Sequence, residues 1–266
     1  MASPRLSLLD TRVSIPAALE EHVRTALSPV VWAMLAGIVS GGSLVQLPIF
    51  LMNRNDPTRH RAGRFFRDLG VLAAKLNPMW DFQVHGSLPD YTPGRTVIVS
   101  NHVSNSDVFL IAHVPYEMKW LGKASLFRVP VFGQLMQMAG DVPLERGTRD
   151  SVVEAMKKCR AHLDRGMPVM IFPEGTRSKT ADLLPFKDGA FRLAVDAGAD
   201  VLPLAVAGTR DALPKHSWRF GFARGLVHVG TPISTAGLTH DNIPALRERA
   251  RDAVAELYRE ILPLVG

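Results

Sequence analysis

The sequence is short of cysteine. Cys159 is the only one in 266 residues, so neither an internal disulfide nor a multi-thiolate zinc site can form. A secreted scaffold held by disulfides is thereby excluded. Cys159 sits in a basic, helix-like stretch, Lys157-Lys158-Cys159-Arg160, and reads as an ordinary helix residue. Aromatic residues are scarce too, at 7%, and do not interleave with a basic stripe, which argues against a nucleic-acid partner. The nine histidines are scattered, with no His-Glu-x-x-His and no cysteine beside them, so metal chemistry has little support. The chain lacks a Gly-x-Ser-x-Gly elbow and a Walker loop. It also lacks repeats and low-complexity tracts, and 47% hydrophobic residues exclude a disordered chain.

What is present is an excess of positive charge, 31 Lys+Arg against 25 Asp+Glu, placed unevenly. Residues 1–29 balance to zero, with Arg5, Arg12 and Arg24 against Asp10, Glu20 and Glu21. Val30 to Met52 then gives 23 residues without a charged side chain. Residues 53–78 follow with Arg54, Arg59, Arg61, Arg64, Arg67 and Lys75 against Asp56 and Asp68, a net of +4. An apolar run with a cationic flank suits a membrane surface bearing anionic headgroups. About 20 residues suffice for a span, although Gly41, Gly42 and Pro48 each weaken or kink a helix. A signal peptide fits poorly, because 29 residues with three acids precede the run. Over Thr58–Leu76, Phe65, Leu69, Leu72 and Leu76 fall at helical spacing, with Arg64 and Arg67 off that stripe. Such a segment lies in the interface with its arginines among the phosphates. The expectation is a two-helix membrane-anchoring region over residues 1–78, either a single span or a shallow insertion. If it crosses, the basic flank places residues 53–266 in the cytoplasm.

From Asp81 onward, short apolar runs alternate with helical patterns. The spacing predicts strands at Thr96–Ser100, Met118–Leu121, Val169–Phe172, Val201–Ala207 and Leu226–Gly230, with a weaker one near Asp141–Leu144. Helices are predicted at Asp107–His113, Phe132–Met138, Arg149–Arg165, Ala190–Ala197 and Pro244–Leu262. This alternation argues for an α/β catalytic domain over 79–266, a mixed and largely parallel sheet flanked by helices. The Pro- and Gly-rich stretch Asn77–Gly94 reads as the boundary.

Two polar loops directly follow apolar strands, where open α/β sheets place their sites. The first is Asn101-His102-Val103-Ser104-Asn105-Ser106-Asp107. An imidazole can take a proton at neutral pH, and a carboxylate five residues on can accept its other ring N–H. That is a base and its orienter without a nucleophile, so the substrate must bring its own hydroxyl. A hydrolase would instead recruit Ser104 or Ser106, and a bland alternative makes Asp107 a helix cap and His102 a turn residue. The second loop is Phe172-Pro173-Glu174-Gly175-Thr176-Arg177-Ser178, in which Gly175 permits a tight turn and Thr176, Arg177 and Ser178 supply donors for a phosphate. Weaker alone are Gly140–Arg146, with Arg146 at a strand end, and Lys123.

Together these pieces resemble the lysophospholipid acyltransferase family, and within it the bacterial 1-acylglycerol-3-phosphate acyltransferases. Asn101-His102-x4-Asp107 matches the His-x4-Asp block, Gly140–Arg146 the second block, Phe172–Ser178 the third almost letter for letter, and Val201–Thr209 the apolar fourth. The resemblance covers roughly residues 80–232 and departs at Pro143, where an aromatic is commoner. It implies a glycerolipid acyltransferase-like fold and no cofactor. It implies that His102 is the general base, held by Asp107, and that the acyl donor is a coenzyme A or acyl carrier protein thioester. The acceptor would be lysophosphatidic acid, giving phosphatidic acid in phospholipid biosynthesis; glycerol 3-phosphate or another lyso-lipid, such as lyso-ornithine lipid, is the alternative. Lys123, Arg146 and Arg177 would hold the phosphate, with Gly175 and Thr176 beside them. Glu174 would meet a glycerol hydroxyl or orient an arginine. Backbone N–H groups near the His-x4-Asp loop are expected to stabilise the oxyanion, and Val201–Gly208 to wall the acyl chain. The expected location is the cytoplasmic face of the inner membrane. A non-catalytic lipid-binding protein is the rival from another class, disfavoured by the presence of both His102 and Asp107.

Overall fold

The computed structural model describes residues 17–178, 180, 182–214 and 216–265. Two helices come first, α1 (Ala17–Met52) and α2 (His60–Leu76). The strands are β1 (Trp80–His85), β2 (Thr96–Ser100), β3 (Lys119–Lys123), β4 (Val142–Leu144), β5 (Val169–Ile171), β6 (Asp200–Ala207) and β7 (Ala223–Val229). Between and after them lie α3 (Asp107–Ile111), α4 (Phe132–Ala139), α5 (Arg149–Asp164), α6 (Gly189–Ala197) and α7 (Ile243–Ile261). They form one sheet in the order β1-β7-β6-β2-β5-β3-β4, with β6 and β7 the antiparallel neighbours. The mixed, largely parallel sheet expected from the sequence is therefore present, and most elements shift by only a few residues.

Central β2, Thr-Val-Ile-Val-Ser, is buried along its whole length, the run typical of a parallel strand covered on both faces. Its side chains alternate between two cores. Val97 and Val99 join Cys159 and Leu163 of α5, Phe191 of α6 and Val254 of α7. Ile98 points the other way, into a core with Val31 of α1, Ala74 of α2 and Leu110 of α3. Cys159 is fully buried, and burial pushes its thiol up to about 12; it is a packing residue.

The boundary segment differs from expectation, because it contains β1. Trp80-Asp81-Phe82-Gln83-Val84-His85 pairs with β7 in parallel from Trp80↔Ala223 to His85↔His228. The ring of Trp80 stacks on Phe82 at 4.8 Å.

The N-terminal helices are docked along the α/β layer. α1 is one helix through both Pro29 and Pro48. Tertiary contacts hold it beside each proline: Ser28 Oγ accepts the Phe220 N–H at 2.9 Å, and Gln46 Nε2 donates to the Leu135 carbonyl at 2.9 Å. By length and composition Leu19–Met52 could cross a membrane, with a mean hydropathy of 1.7 and a share of 11% buried. This apolar helix suggests membrane association.

α2 buries Ala62, Gly63, Arg67, Ala73 and Ala74 and leaves Leu72 and Leu76 exposed. Arg67 therefore does not lie among lipid phosphates. It is buried and pairs with Asp141, whose Oδ1 also accepts the Trp120 N–H at 3.0 Å. Beside it, fully buried Lys119 donates to Glu117 Oε1 at 2.6 Å, the Ala139 carbonyl at 2.8 Å and the Arg59 carbonyl at 3.2 Å. A Cβ on Gly63 would meet Glu117 Oε1 at 1.9 Å, so only glycine lets α2 approach this cluster.

Candidate active site

Parallel strands carry their C-terminal ends to one edge, and here that edge receives the loops after β6, β2, β5, β3 and β4 in spatial order. Thr209, His102, Glu174–Arg177, Lys123 and Arg146 thus share one rim.

His102 Nδ1 lies 2.7 Å from Asp107 Oδ2, the base-and-orienter contact expected from the spacing. The same oxygen accepts the N–H groups of Val103 at 2.8 Å and Ser104 at 3.0 Å, while Thr209 Oγ1 donates to Asp107 Oδ1. Asp107 is fully buried at the start of α3, so its carboxylate is held from four directions. The imidazole stacks on Phe172, centroids 4.0 Å apart and planes 16° from parallel, which fixes the ring. Its side chain stays 13% exposed, and Nε2 makes no hydrogen bond with a described residue.

The serines are not nucleophiles in this arrangement. Ser106 Oγ donates to Ser104 Oγ at 2.8 Å, both residues are buried, and neither hydroxyl bonds His102. The expected oxyanion donors also change, because the Val103 and Ser104 amides are already used by Asp107.

The β5 loop turns at Gly175, φ 69°, and is tied to the His102 loop by the Ser178 N–H, which donates to the His102 carbonyl at 2.8 Å. Ser178 is buried and its hydroxyl bonds within its own loop, to the Thr180 and Asp182 carbonyls at 2.9 Å, so it is turned away from any phosphate. Thr176 is exposed and Arg177 half-buried. Lys123 and Arg146 are exposed at the ends of β3 and β4. At about 4.8 Å per strand those two ends lie roughly 10 and 14 Å from the β2 end, while the β5 loop is its neighbour. Arg177, Lys123 and Arg146 make no hydrogen bond or ion pair with a described residue.

Glu174 is buried and forms no ion pair with an arginine among the described residues. Burial pushes its carboxyl up to about 7, although the backbone amides of His102 and Leu184 pull the other way. Neither carboxylate oxygen has a hydrogen bond of good geometry with a described residue.

Three contributors escaped the sequence reading. Thr209 and Phe172 fell inside matched blocks without a role. Asn101 uses its side-chain amide as a surrogate strand, donating to the Val206 carbonyl and accepting the Val206 N–H, both at 2.9 Å, which locks β2 to β6 beside His102.

A family model described as Acyltransferase matches residues 81–207. The chain is similar to a chloroplastic 1-acyl-sn-glycerol-3-phosphate acyltransferase of Brassica napus, 34% identical over 82% of this chain and 64% of the relative. It is also similar to the 1-acyl-sn-glycerol-3-phosphate acyltransferase of Haemophilus influenzae, 29% identical over 73% of this chain and 85% of that one. The chain spans slightly under two thirds of the plant relative and of an algal one from Chlamydomonas reinhardtii, 64% and 65%. The crystal structure of the 1-acyl-sn-glycerophosphate acyltransferase of Thermotoga maritima superposes with a TM-score of 0.74 at 26% identity, covering 90% of this chain and 97% of that one.

Proposed function

We propose that the chain belongs to the acyltransferase family whose model matches residues 81–207, and that it moves a fatty acyl group from a thioester to the free hydroxyl of 1-acylglycerol 3-phosphate, giving phosphatidic acid. The observation that carries this reading is the His102–Asp107 contact, with no nucleophile bonded to the imidazole among the described residues. His102 Nε2 takes the proton of the acceptor hydroxyl as its oxygen bonds to the thioester carbonyl carbon. The Asp107 carboxylate, an acceptor in all four of its bonds, holds the other ring N–H and stabilises the imidazolium. The tetrahedral intermediate then expels the thiolate of coenzyme A or acyl carrier protein, which leaves with the proton from His102. No acyl-enzyme forms.

Arg177, without a side-chain partner among the described residues and on the loop next to His102, binds the acceptor phosphate, and Lys123 and Arg146 extend the cationic rim. Gly175 and Thr176 shape that turn. Glu174 is a positioning group behind it. Residues 1–78 anchor the protein to the membrane and 79–266 carry the chemistry, on the cytoplasmic face of the inner membrane. α1 lies along the surface rather than crossing, because buried Ser28, Val31 and Gln46 tie it to the α/β layer at points from Ser28 to Gln46.

The test is purified protein in mixed micelles with 1-acylglycerol 3-phosphate, glycerol 3-phosphate or lyso-ornithine lipid, each with acyl-coenzyme A and acyl carrier protein thioesters. Phosphatidic acid from the first acceptor at far the highest kcat/KM is expected. Preference for either other acceptor overturns the substrate, and an acyl group trapped on Ser104 or Ser106 overturns the mechanism.

A further inference from the structure

A second basic site lies at the opposite edge of the sheet from His102. A cleft of about 510 Å³ opens there, lined by Arg59, Gln137, Asp141, Lys158, His162 and Arg165 among others. Asp141 precedes β4 and Arg165 lies in the turn before β5, so the cleft faces the N-terminal ends of strands whose C-terminal ends form the catalytic rim.

Its charge is one-sided. The lining's carboxylate, Asp141, is buried and paired with Arg67, outside the lining. Arg165 is exposed and has no partner among the described residues. Lys158 shares an exposed ion pair with Glu154 at 3.6 Å. The Arg59 guanidinium donates to the Gln137 carbonyl and lies 5.1 Å from the Phe50 ring, which aims it along the cleft wall. His162 Nδ1 is buried without a hydrogen-bond partner. Burial foremost, then the charges of Lys119, Arg165 and Arg59, push the imidazole down to about 4, so the local field is positive and His162 is neutral. A cleft of this volume holds a headgroup-sized ligand.

We propose that this cleft is a non-catalytic site for the phosphate headgroup of a membrane phospholipid. The position argues for lipid over a soluble anion. Pro57 and Arg59 of the cleft follow within a few residues of Leu51 and Met52, 55% and 85% exposed, where the apolar face of α1 ends. With those side chains in the acyl region, the next layer outward holds the phosphates. The site fixes the tilt of the α1–α2 hairpin, and with it the docked catalytic layer, on the bilayer. It rests on the reading of that hairpin as lipid-embedded, and is independent of which acceptor is acylated.

The experiment is vesicle co-sedimentation of the full chain with phosphatidylcholine alone and with added phosphatidylglycerol. Two double variants remove equal charge, Lys158→Ala with Arg165→Ala in the cleft, and Arg54→Ala with Arg61→Ala on the exposed turn and helix start outside it. At about a fivefold loss per cation at most, the cleft variant is expected to lose roughly 10- to 30-fold in partitioning to anionic vesicles, while the control loses only a few-fold. Both keep binding to neutral vesicles, and both keep turnover in detergent. Equal losses in the two variants, or wild-type binding indifferent to phosphatidylglycerol, overturns the site. Failure of the wild type to bind either vesicle removes the lipid-embedded reading and this proposal with it. Inorganic phosphate displacing the protein from anionic vesicles at millimolar concentration, with no such effect on the cleft variant, would make the ligand a soluble phosphate and overturn the lipid assignment.

Discussion

The two halves of the candidate site's rim are built on opposite plans. Around Asp107 the carboxylate oxygens are fully engaged, the ring of His102 is stacked, and Asn101 clamps β2 to β6. Across β5, β3 and β4 the side chains of Arg177, Lys123 and Arg146 hold no partner among the described residues. A proton-transfer group gains from fixed geometry, since a small misplacement lowers the rate steeply. A headgroup clamp gains from cations left unpaired, because each internal ion pair would have to be broken before substrate could bind. The locked half is therefore expected to govern turnover and the open half to govern affinity.

The largest test of that division is His102→Ala. It removes the base without touching the bonds that Asp107 makes to backbone and Thr209, so the fold should survive with an unchanged circular dichroism spectrum. Turnover should fall by about 10²–10⁴-fold, the usual contribution of positioned proton transfer. Near-normal turnover would dissolve the locked half as a catalytic unit.

Next is Arg177→Ala in the open half. A charge-assisted hydrogen bond of about 1.5–3 kcal/mol corresponds to a loss of roughly 10- to 150-fold in kcat/KM for the acceptor. KM for the acceptor should carry most of it, with some loss of kcat if the phosphate also orients the reacting hydroxyl. A rise in KM for the thioester alone would assign this arginine to the donor and invert the map of the rim.

Much of this division was legible in the sequence, because parallel strands send residues distant in the chain to one edge. Blocks at the ends of β2, β5 and β4 could be placed together without coordinates. What escaped depends on contacts across long separations. Thr209 reaches Asp107 over 102 residues, and a threonine after an apolar strand gives no sign of such a bond. Arg67 looked like a surface cation in a basic segment, and only its pairing with Asp141, 74 residues away, takes it inside. β1 is the exception that pattern could have found: Trp80, Phe82 and Val84 alternate with Asp81, Gln83 and His85, the period of a half-buried strand. The Pro- and Gly-rich residues that follow concealed it.

Thr209→Val sharpens the comparison from within the locked half. It keeps the shape and deletes one donor to Asp107, a bond of about 1 kcal/mol, so kcat should fall about fivefold with both KM values unchanged. Thr209→Ser should restore the rate. Loss of KM instead would mean that the loop after β6 belongs to the open half.

The smallest expected effect belongs to Glu174, which sits behind both halves. Its folded value of about 7 lies above the ordinary 4.5, with burial the leading cause, so the folded protein favours the neutral carboxyl. The folded state then binds more protons than the unfolded chain, and stability falls as pH rises from about 4.5 to about 7, levelling above that. Glu174→Gln has no proton to lose. Its melting temperature should match the wild type near pH 4.5 and exceed it by on the order of 5 °C at pH 8. Turnover should change only a few-fold, because the side chain is buried and does not reach the rim surface. Melting curves that run parallel across this range would show a carboxylate already ionised in the folded protein. It would then need a cation beside it. Arg251 already pulls its carboxyl down, and the β5 loop carries Lys187 as well as Arg177. If Arg177 turned inward to supply that charge, the unpaired half of the rim would be less open than its side chains indicate.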